Sequence, residues 1–325
     1  LPDSDRPARA TAFAPASIGN VAVGYDVLGG VLDIDVGDRV TVRRIDEPVV
    51  RIAGIGGRDM DLPDDPAANT ATAGLLQWLE DTRPGHGFAV TIDKGIPLGS
   101  GMGGSAASAV GAVVAANAVA TNPVSDDDLF RYALIGESLA SGSIHPDNVA
   151  PCLYGGLVLT RETDPPDPIR IPVPESVRAV LVHPHRTVET RAARRCIPSD
   201  IPLDEVVRQT AHLSAFIAGC YRNDLGLIGR SLRDGIVEPR RADLVPGFAD
   251  VQASAMEAGA LGCSLAGAGP SVFAWARAGD ARTVRDAMTG AFADHQIPAD
   301  AYISPVNGPG SHLVHSDSEP AAQPG

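Results

Sequence analysis

Phe88 to Asp93 alternates like a strand, and the stretch that follows, IPLGSGMGGSAASAV, sets glycines at positions 99, 101, 103 and 104 ahead of a helix of small residues, Ser105 to Ala120. Glycines let backbone N–H groups approach an anion, and the free donors and positive dipole end of the next helix attract phosphate. A di- or triphosphate fits such a loop. A plain flexible connection from strand to helix would also have this composition, so the loop needs corroboration elsewhere in the chain.

Three phosphate-binding architectures compete for it. A Walker loop needs G-x-x-x-x-G-K-[ST], but the only lysine in the chain, Lys94, precedes the glycines. The string Gly99 to Gly104 matches the dinucleotide fingerprint G-x-G-x-x-G literally, with Asp126 to Asp128 some twenty residues on. In a βαβ unit, however, that acidic residue should end a second strand. Here TNPVSDDDLF reads as a loop entering a helix, and Pro97 separates the first strand from the glycines. The third architecture binds nucleotide phosphates without a Walker lysine. A dinucleotide oxidoreductase stays as a rival.

At 325 residues and 33.5 kDa the chain has room for two domains of ~150 residues each. Hydrophobic residues at 44% and charged residues at 20% exclude wholesale disorder, collagen and coiled coil. A formal charge of −14 repels a phosphate backbone, so no nucleic acid is expected as a partner. Cys152, Cys196, Cys220 and Cys263 show no C-x-x-C spacing and read as reduced thiols. Ala106 to Ala120 is too short and too interrupted to cross a bilayer, and LPDSDRPARA lacks an apolar signal core. No membrane is expected, and a cytoplasmic location follows.

The elements read as α+β. Strands are expected at Arg9 to Phe13, Val31 to Ile45, Val49 to Ile52 and Leu157 to Arg161, with Asn69 capping a helix through Leu79. Ser125 and Asp128 resemble a capping box for a helix through Leu139. The Pro-rich, acidic ETDPPDPIRIPVPES is the expected boundary between a first domain, 1–165, and a second, 166–312. The second has the order β, α, β, β, α, β with helical additions, as a ferredoxin-like domain would. Residues 313–325 are expected to be a disordered tail.

PLGSGMGGSAAS closely resembles the second motif of the GHMP kinases, P-x-x-x-G-L-G-S-S-A-A. PASIGNVAVGYDVLG at Pro15 to Gly29 resembles the first motif, and SLAGAGPSVFAW at Ser264 to Trp275 the third. Three motifs in order span most of the chain. The resemblance implies the two-domain GHMP kinase fold, with an N-terminal mixed β/α nucleotide-binding domain and a C-terminal ferredoxin-like domain. It also implies ATP and Mg²⁺ and a homodimer. GESLASGSIHPDNVAP is most similar to the branch of the family that phosphorylates L-homoserine. Another alcohol acceptor, mevalonate-like or sugar, and a binding protein that has lost catalysis remain as alternatives.

The resemblance implies roles residue by residue. Ser105 and Glu137 match the metal ligands and, with Asn148, make up the implied catalytic residues. Lys94, Asn69, Pro97, Gly99, Ser100, Gly101, Met102, Gly103 and Gly104 would contact the nucleotide. Gly104 replaces the first serine of the usual pair, which removes one side-chain contact and keeps the backbone N–H. For an amino-acid acceptor, Arg191 in RTVETR matches the arginine of a T-x-x-x-R segment that begins at Thr187, and Arg241 matches that of E-P-x-R. Asn20, Asp26, His145 and Asp147 fill the remaining polar positions. Gly267, Gly269 and Ser271 would close the site from the second domain. Mevalonate kinases use an aspartate base where this chain has Asn148, so positioning and electrostatic stabilisation are expected to carry the reaction.

Overall fold

A computed structural model describes residues 6–58, 62–142 and 144–314 of the chain. The first half runs β1 (Arg9–Pro15), β2 (Ser17–Gly19), β3 (Leu28–Val31), β4 (Gly37–Ile45), β5 (Val50–Gly57), α1 (Thr70–Thr82) and β6 (Gly87–Lys94). Three helices follow, α2 (Gly104–Val119), α3 (Asp126–Ser141) and α4 (Pro146–Tyr154), and then the hairpin β7 (Leu157–Thr163) and β8 (Pro166–Ile171). The second half begins with β9 (Val177–Pro184), α5 (Thr190–Arg195), α6 (Leu203–Arg222), α7 (Leu225–Ser231) and α8 (Glu238–Arg241). It ends with α9 (Phe248–Glu257), β10 (Gly262–Leu265), β11 (Val272–Arg277), α10 (Ala281–Asp294), β12 (Ala299–Pro305) and β13 (His312–Val314).

Helix α2 has no polar face, because its small residues let it lie between the sheet and other helices. It packs against β1 and β4 on one side and α1 and α3 on the other. A Cβ at Gly111 would come within 2.9 Å of Val40 Cγ2, so only glycine allows so close an approach to the sheet. Asn69 Oδ1 caps α1 through the Ala71 N–H, and Ser125 Oγ caps α3 through the Asp128 N–H, as their sequence positions predict.

The first sheet has the order β13-β1-β4-β6-β5 and is antiparallel apart from the β5–β6 pair. A smaller sheet, β2-β3-β7-β8, carries the first motif. The third sheet, β10-β11-β9-β12, is antiparallel throughout, with the first and third strands of its βαββαβ unit adjacent in the middle. This is the split arrangement of a ferredoxin-like domain. Successive residues of β9 serve two cores: Ala179 and Leu181 join the large core of the first half, whereas Val180 and Val182 pack with Phe248, Met288 and Phe292. The two halves are thereby bound together through one strand.

Three expectations need correction. The boundary at 165/166 falls inside the β7–β8 hairpin, because Pro166 and Pro168 sit on the edge strand β8, where proline is tolerated. The alternating run Val31 to Ile45 divides into β3 and β4, which lie in different sheets. Leu313 and Val314, expected at the start of a disordered tail, pair with Ala12 and Thr11 at the edge of the first sheet, and residues 315–325 lie outside those described. Among the described residues no helix is long and apolar enough to cross a membrane, and all four cysteines are free thiols.

Candidate active site

Main-chain hydrogen bonds tie the three glycine-containing segments into one site. The Ser17 N–H donates to Met102 O at 3.1 Å, and the Gly267 N–H to Gly19 O at 2.8 Å. Ser271 donates to Ser100 O through both its backbone N–H at 3.2 Å and its hydroxyl at 2.6 Å. Residues 99, 101 and 103 adopt φ of +62°, +76° and +69°, the left-handed region that glycine enters without steric cost. A Cβ on Gly101 would stand 2.5 Å from Ala266 O and 2.7 Å from Gly269 O, so the second and third segments touch backbone to backbone.

These segments wall a cavity of about 230 Å³. At one end lie the glycine loop and the N-terminus of α2, whose first-turn amides have no helical partners. Ser105 stands there, hydrogen-bonded to Glu137 from α3. Burial pushes the Glu137 carboxyl up to about 7, with the Ser105 bond and the Lys94 charge pulling the other way. Nearby, Ser17 Oγ donates to Asn148 Oδ1 at 2.9 Å, which leaves the Asn148 amide NH₂ as the donor toward the cavity. Asp147 is buried, and its Oδ1 has no hydrogen-bond partner among the described residues. Burial first, then the Asp26 and Glu137 charges, lift its carboxyl to about 8.

The opposite end is zwitterionic in its own right. Arg194 Nη2 donates to both oxygens of Asp26, at 2.8 and 3.0 Å, and to His145 Nδ1 at 3.0 Å. Because arginine only donates, His145 Nδ1 must be the acceptor nitrogen. Burial, the largest influence, also favours the neutral ring by lowering the His145 pKa. Arg241 is buried and held on three sides: Nε donates to Ala193 O, Nη1 to Gly267 O and Nη2 to the Tyr25 hydroxyl, each at 3.1 Å. The first motif reaches this end through a tight loop in which Asn20, Ala22, Gly24 and Asp26 all have positive φ. Asn20 Oδ1 accepts from the Asp26 N–H at 3.0 Å and holds that loop closed.

The family model for the GHMP kinases N terminal domain matches residues 69–156, and that for the GHMP kinases C terminal matches residues 216–294. The chain belongs to the GHMP kinase family. It is 50% identical over 308 residues, 94% of each chain, to the homoserine kinase of Xanthomonas campestris pv. campestris (strain B100). The crystal structure of homoserine kinase from Cytophaga hutchinsonii superposes with a TM-score of 0.90 at 44% identity, covering 95% of this chain and 98% of that one. Lactococcus lactis galactokinase, at 15% identity and a TM-score of 0.68, shares the fold alone.

Most residues expected from the GHMP resemblance line the cavity: Asn20, Asp26, Pro97, Gly99, Ser100, Gly101, Gly103, Gly104, Ser105, Glu137, His145, Asp147, Asn148, Arg241 and Gly267. Seven do not, each for a physical reason; Ser271 is buried and spends its hydroxyl on Ser100 O. Lys94 is buried beneath the loop, paired with Asp38 and donating to Gly104 O and Ser108 Oγ. Asn69 uses its amide NH₂ on Pro63 O and its Oδ1 on the helix cap. Met102 is a core side chain, and Gly269 supports Gly101 from behind. Thr187 lines a separate groove with His183 and His185. Arg191 is turned away and donates to Leu139 O at 3.0 Å.

Thr190, Arg194 and Tyr25 line the cavity, whereas Thr187 and Arg191 do not; none of these three lining residues was expected. The T-x-x-x-R spacing occurs twice in overlapping register, as Thr187 to Arg191 and as Thr190 to Arg194. Only the second pair lies wholly on α5, where residues four apart share a face.

Proposed function

We propose that the protein transfers the γ-phosphoryl group of ATP to the side-chain hydroxyl of L-homoserine, yielding O-phospho-L-homoserine for threonine biosynthesis. One observation carries this reading: a single cavity joins the amides of the glycine loop and α2 to the Asp26, Arg194 and Arg241 set. The identity to homoserine kinases over 94% of the chain supports the choice of acceptor.

Phosphate oxygens are received by main-chain N–H groups and the positive end of α2, which needs no lysine from a Walker loop. Ser105 and Glu137 fit Mg²⁺, a hard cation that takes one or two carboxylates and completes its shell with phosphate oxygens and water. A carboxyl raised to about 7 by burial is one that a divalent cation would return to the ionised form. When bound, that ion would neutralise charge developing on the transferred group.

Asp26 would take the ammonium of homoserine, and the guanidinium groups of Arg194 and Arg241 its carboxylate. The Asn148 NH₂, oriented by Ser17, is free to donate to the acceptor hydroxyl oxygen. An amide removes no proton, and burial with the Asp26 and Glu137 charges pushes the Asp147 carboxyl up to about 8, which disfavours it as a base. The hydroxyl proton therefore leaves late, to the transferred phosphoryl group or to water, in keeping with a loose transition state.

The test is purified protein with ATP, Mg²⁺ and separate samples of L-homoserine, mevalonate, galactose and shikimate. Phosphate transfer to homoserine alone is expected. Turnover of another alcohol in its place would keep the family and overturn the acceptor.

A further inference from the structure

The Tyr25 ring lies against both Arg194 and Arg241, the two arginines assigned above to the acceptor carboxylate. Its ring centroid lies 5.4 Å from the Arg194 guanidinium carbon and 5.2 Å from that of Arg241, so one aromatic ring contacts both cations. The electron-rich ring favours each cation and eases the approach of two like charges to one small region. Its hydroxyl accepts from Arg241 Nη2 at 3.1 Å. That bond occupies an oxygen lone pair and leaves the hydroxyl hydrogen, for which no acceptor stands among the described residues. Tyr25 also lines the cavity, on a loop held by positive-φ backbone at Gly24 and Asp26 on either side of it.

We infer that Tyr25 determines acceptor specificity: its ring sets the spacing of Arg194 and Arg241, and its hydroxyl donates a third hydrogen bond to the acceptor's α-carboxylate. The inference rests on the homoserine reading and extends it. Arg241 fixes the hydroxyl oxygen, so the remaining O–H turns about a fixed point and meets a carboxylate seated between the two guanidinium groups. A neutral sugar or polyol offers no anion at that point. Burial, together with the Asp26 charge, raises the Tyr25 pKa, which keeps the phenol protonated and able to donate.

L-2-Aminobutyrate, which keeps the ammonium and carboxylate of homoserine but lacks the hydroxyl, reads this clamp independently of phosphoryl transfer. Its Kd is to be measured by calorimetry on wild type, Tyr25→Phe and Tyr25→Leu, alongside homoserine and ATP kinetics and thermal unfolding. Tyr25→Phe keeps the ring and is expected to weaken L-2-aminobutyrate and raise the homoserine KM by roughly tenfold, the loss of one hydrogen bond to a charged group. The ATP KM and kcat are expected to stay within about twofold, since the lost bond serves ground state and transition state equally. Tyr25→Leu is expected to weaken binding further; if it fails to fold, Tyr25→Phe decides alone. A Tyr25→Phe protein that binds L-2-aminobutyrate as tightly as wild type overturns the inference, as does a fall in kcat with an unchanged Kd. A wild-type protein that neither binds L-2-aminobutyrate nor phosphorylates homoserine overturns the functional reading along with it.

Discussion

Lys94 and Asp38 form an ion pair sealed from solvent, their side chains 1% and 0% exposed, directly beneath the glycine loop. Asp38 Oδ1 accepts from the Gly95 and Ile96 N–H groups, and Lys94 Nζ donates to Gly104 O at 2.8 Å, so the pair grips both ends of the loop. Removing one partner leaves an uncompensated buried charge. Lys94→Met is expected to destabilise the fold by about 3–5 kcal/mol, and the double variant Lys94→Met with Asp38→Leu to recover much of that in urea unfolding. If Lys94 instead touches nucleotide, the double variant will fold well and still show a greatly raised ATP KM.

The register of the arginine that lines the cavity separates two neighbouring variants. Arg194 faces Asp26 and His145, whereas Arg191 reaches only the Leu139 carbonyl from an exposed position. Arg194→Ala is expected to lose about 2 kcal/mol of homoserine binding, a roughly 30-fold rise in KM. Arg191→Ala is expected to change KM by less than about twofold, as exposed charges contribute little. Steady-state kinetics on both variants checks the assignment, and the reverse order would restore Arg191.

Gly101 and Gly85 share a φ of +76°, but a Cβ meets backbone carbonyls at Gly101 and nothing within 4 Å at Gly85. Gly85→Ala is therefore expected to cost only the left-handed backbone penalty, about 1 kcal/mol. Gly101→Ala must also push the second and third glycine segments apart and is expected to cost at least about 2 kcal/mol and to raise the ATP KM. Thermal unfolding of both variants isolates the contact from the backbone.

Stability of the ligand-free protein is expected to fall as pH rises past the ordinary carboxyl range. Unfolded, Glu137 and Asp147 ionise near 4.5 and 3.8; folded, burial keeps them protonated up to about 7 and about 8. The folded state thus binds more protons in that interval, and its advantage, complete below the unfolded values, is lost by the upper ones. For Glu137 the change amounts to at most about 3 kcal/mol. Glu137→Gln and Asp147→Asn should each flatten the decline of ΔG with pH in chemical denaturation, and an unchanged slope would refute the assignment. Mg²⁺ with ATP should reduce the decline by favouring ionised Glu137.

Local signals carried much of the fold. Asn69 and Ser125 mark helix starts because capping is settled by a few neighbouring residues. The small-residue run Ser105 to Ala120 likewise anticipates a helix, observed over Gly104–Val119. The domain boundary misled because prolines signal a linker and an edge strand equally well; pairing with β7, a long-range event, decides between them. Which arginine lines the cavity was not legible for a similar reason, since two T-x-x-x-R pairs fit the spacing and only the start of α5 selects one.

The glycine spacing by itself determined that main-chain amides could cradle phosphate, and three motifs in order pointed to the GHMP kinases. The first follows from short-range geometry and from glycine's freedom at positive φ. Which cations reach the cavity was decided only by the tertiary structure. Lys94 is drawn under the loop by Asp38, 56 residues away, while Arg194 is drawn into the site by Asp26, 168 residues away, beside the Tyr25 ring. A charge settles where burial is matched by a partner, and that partner is supplied by the fold.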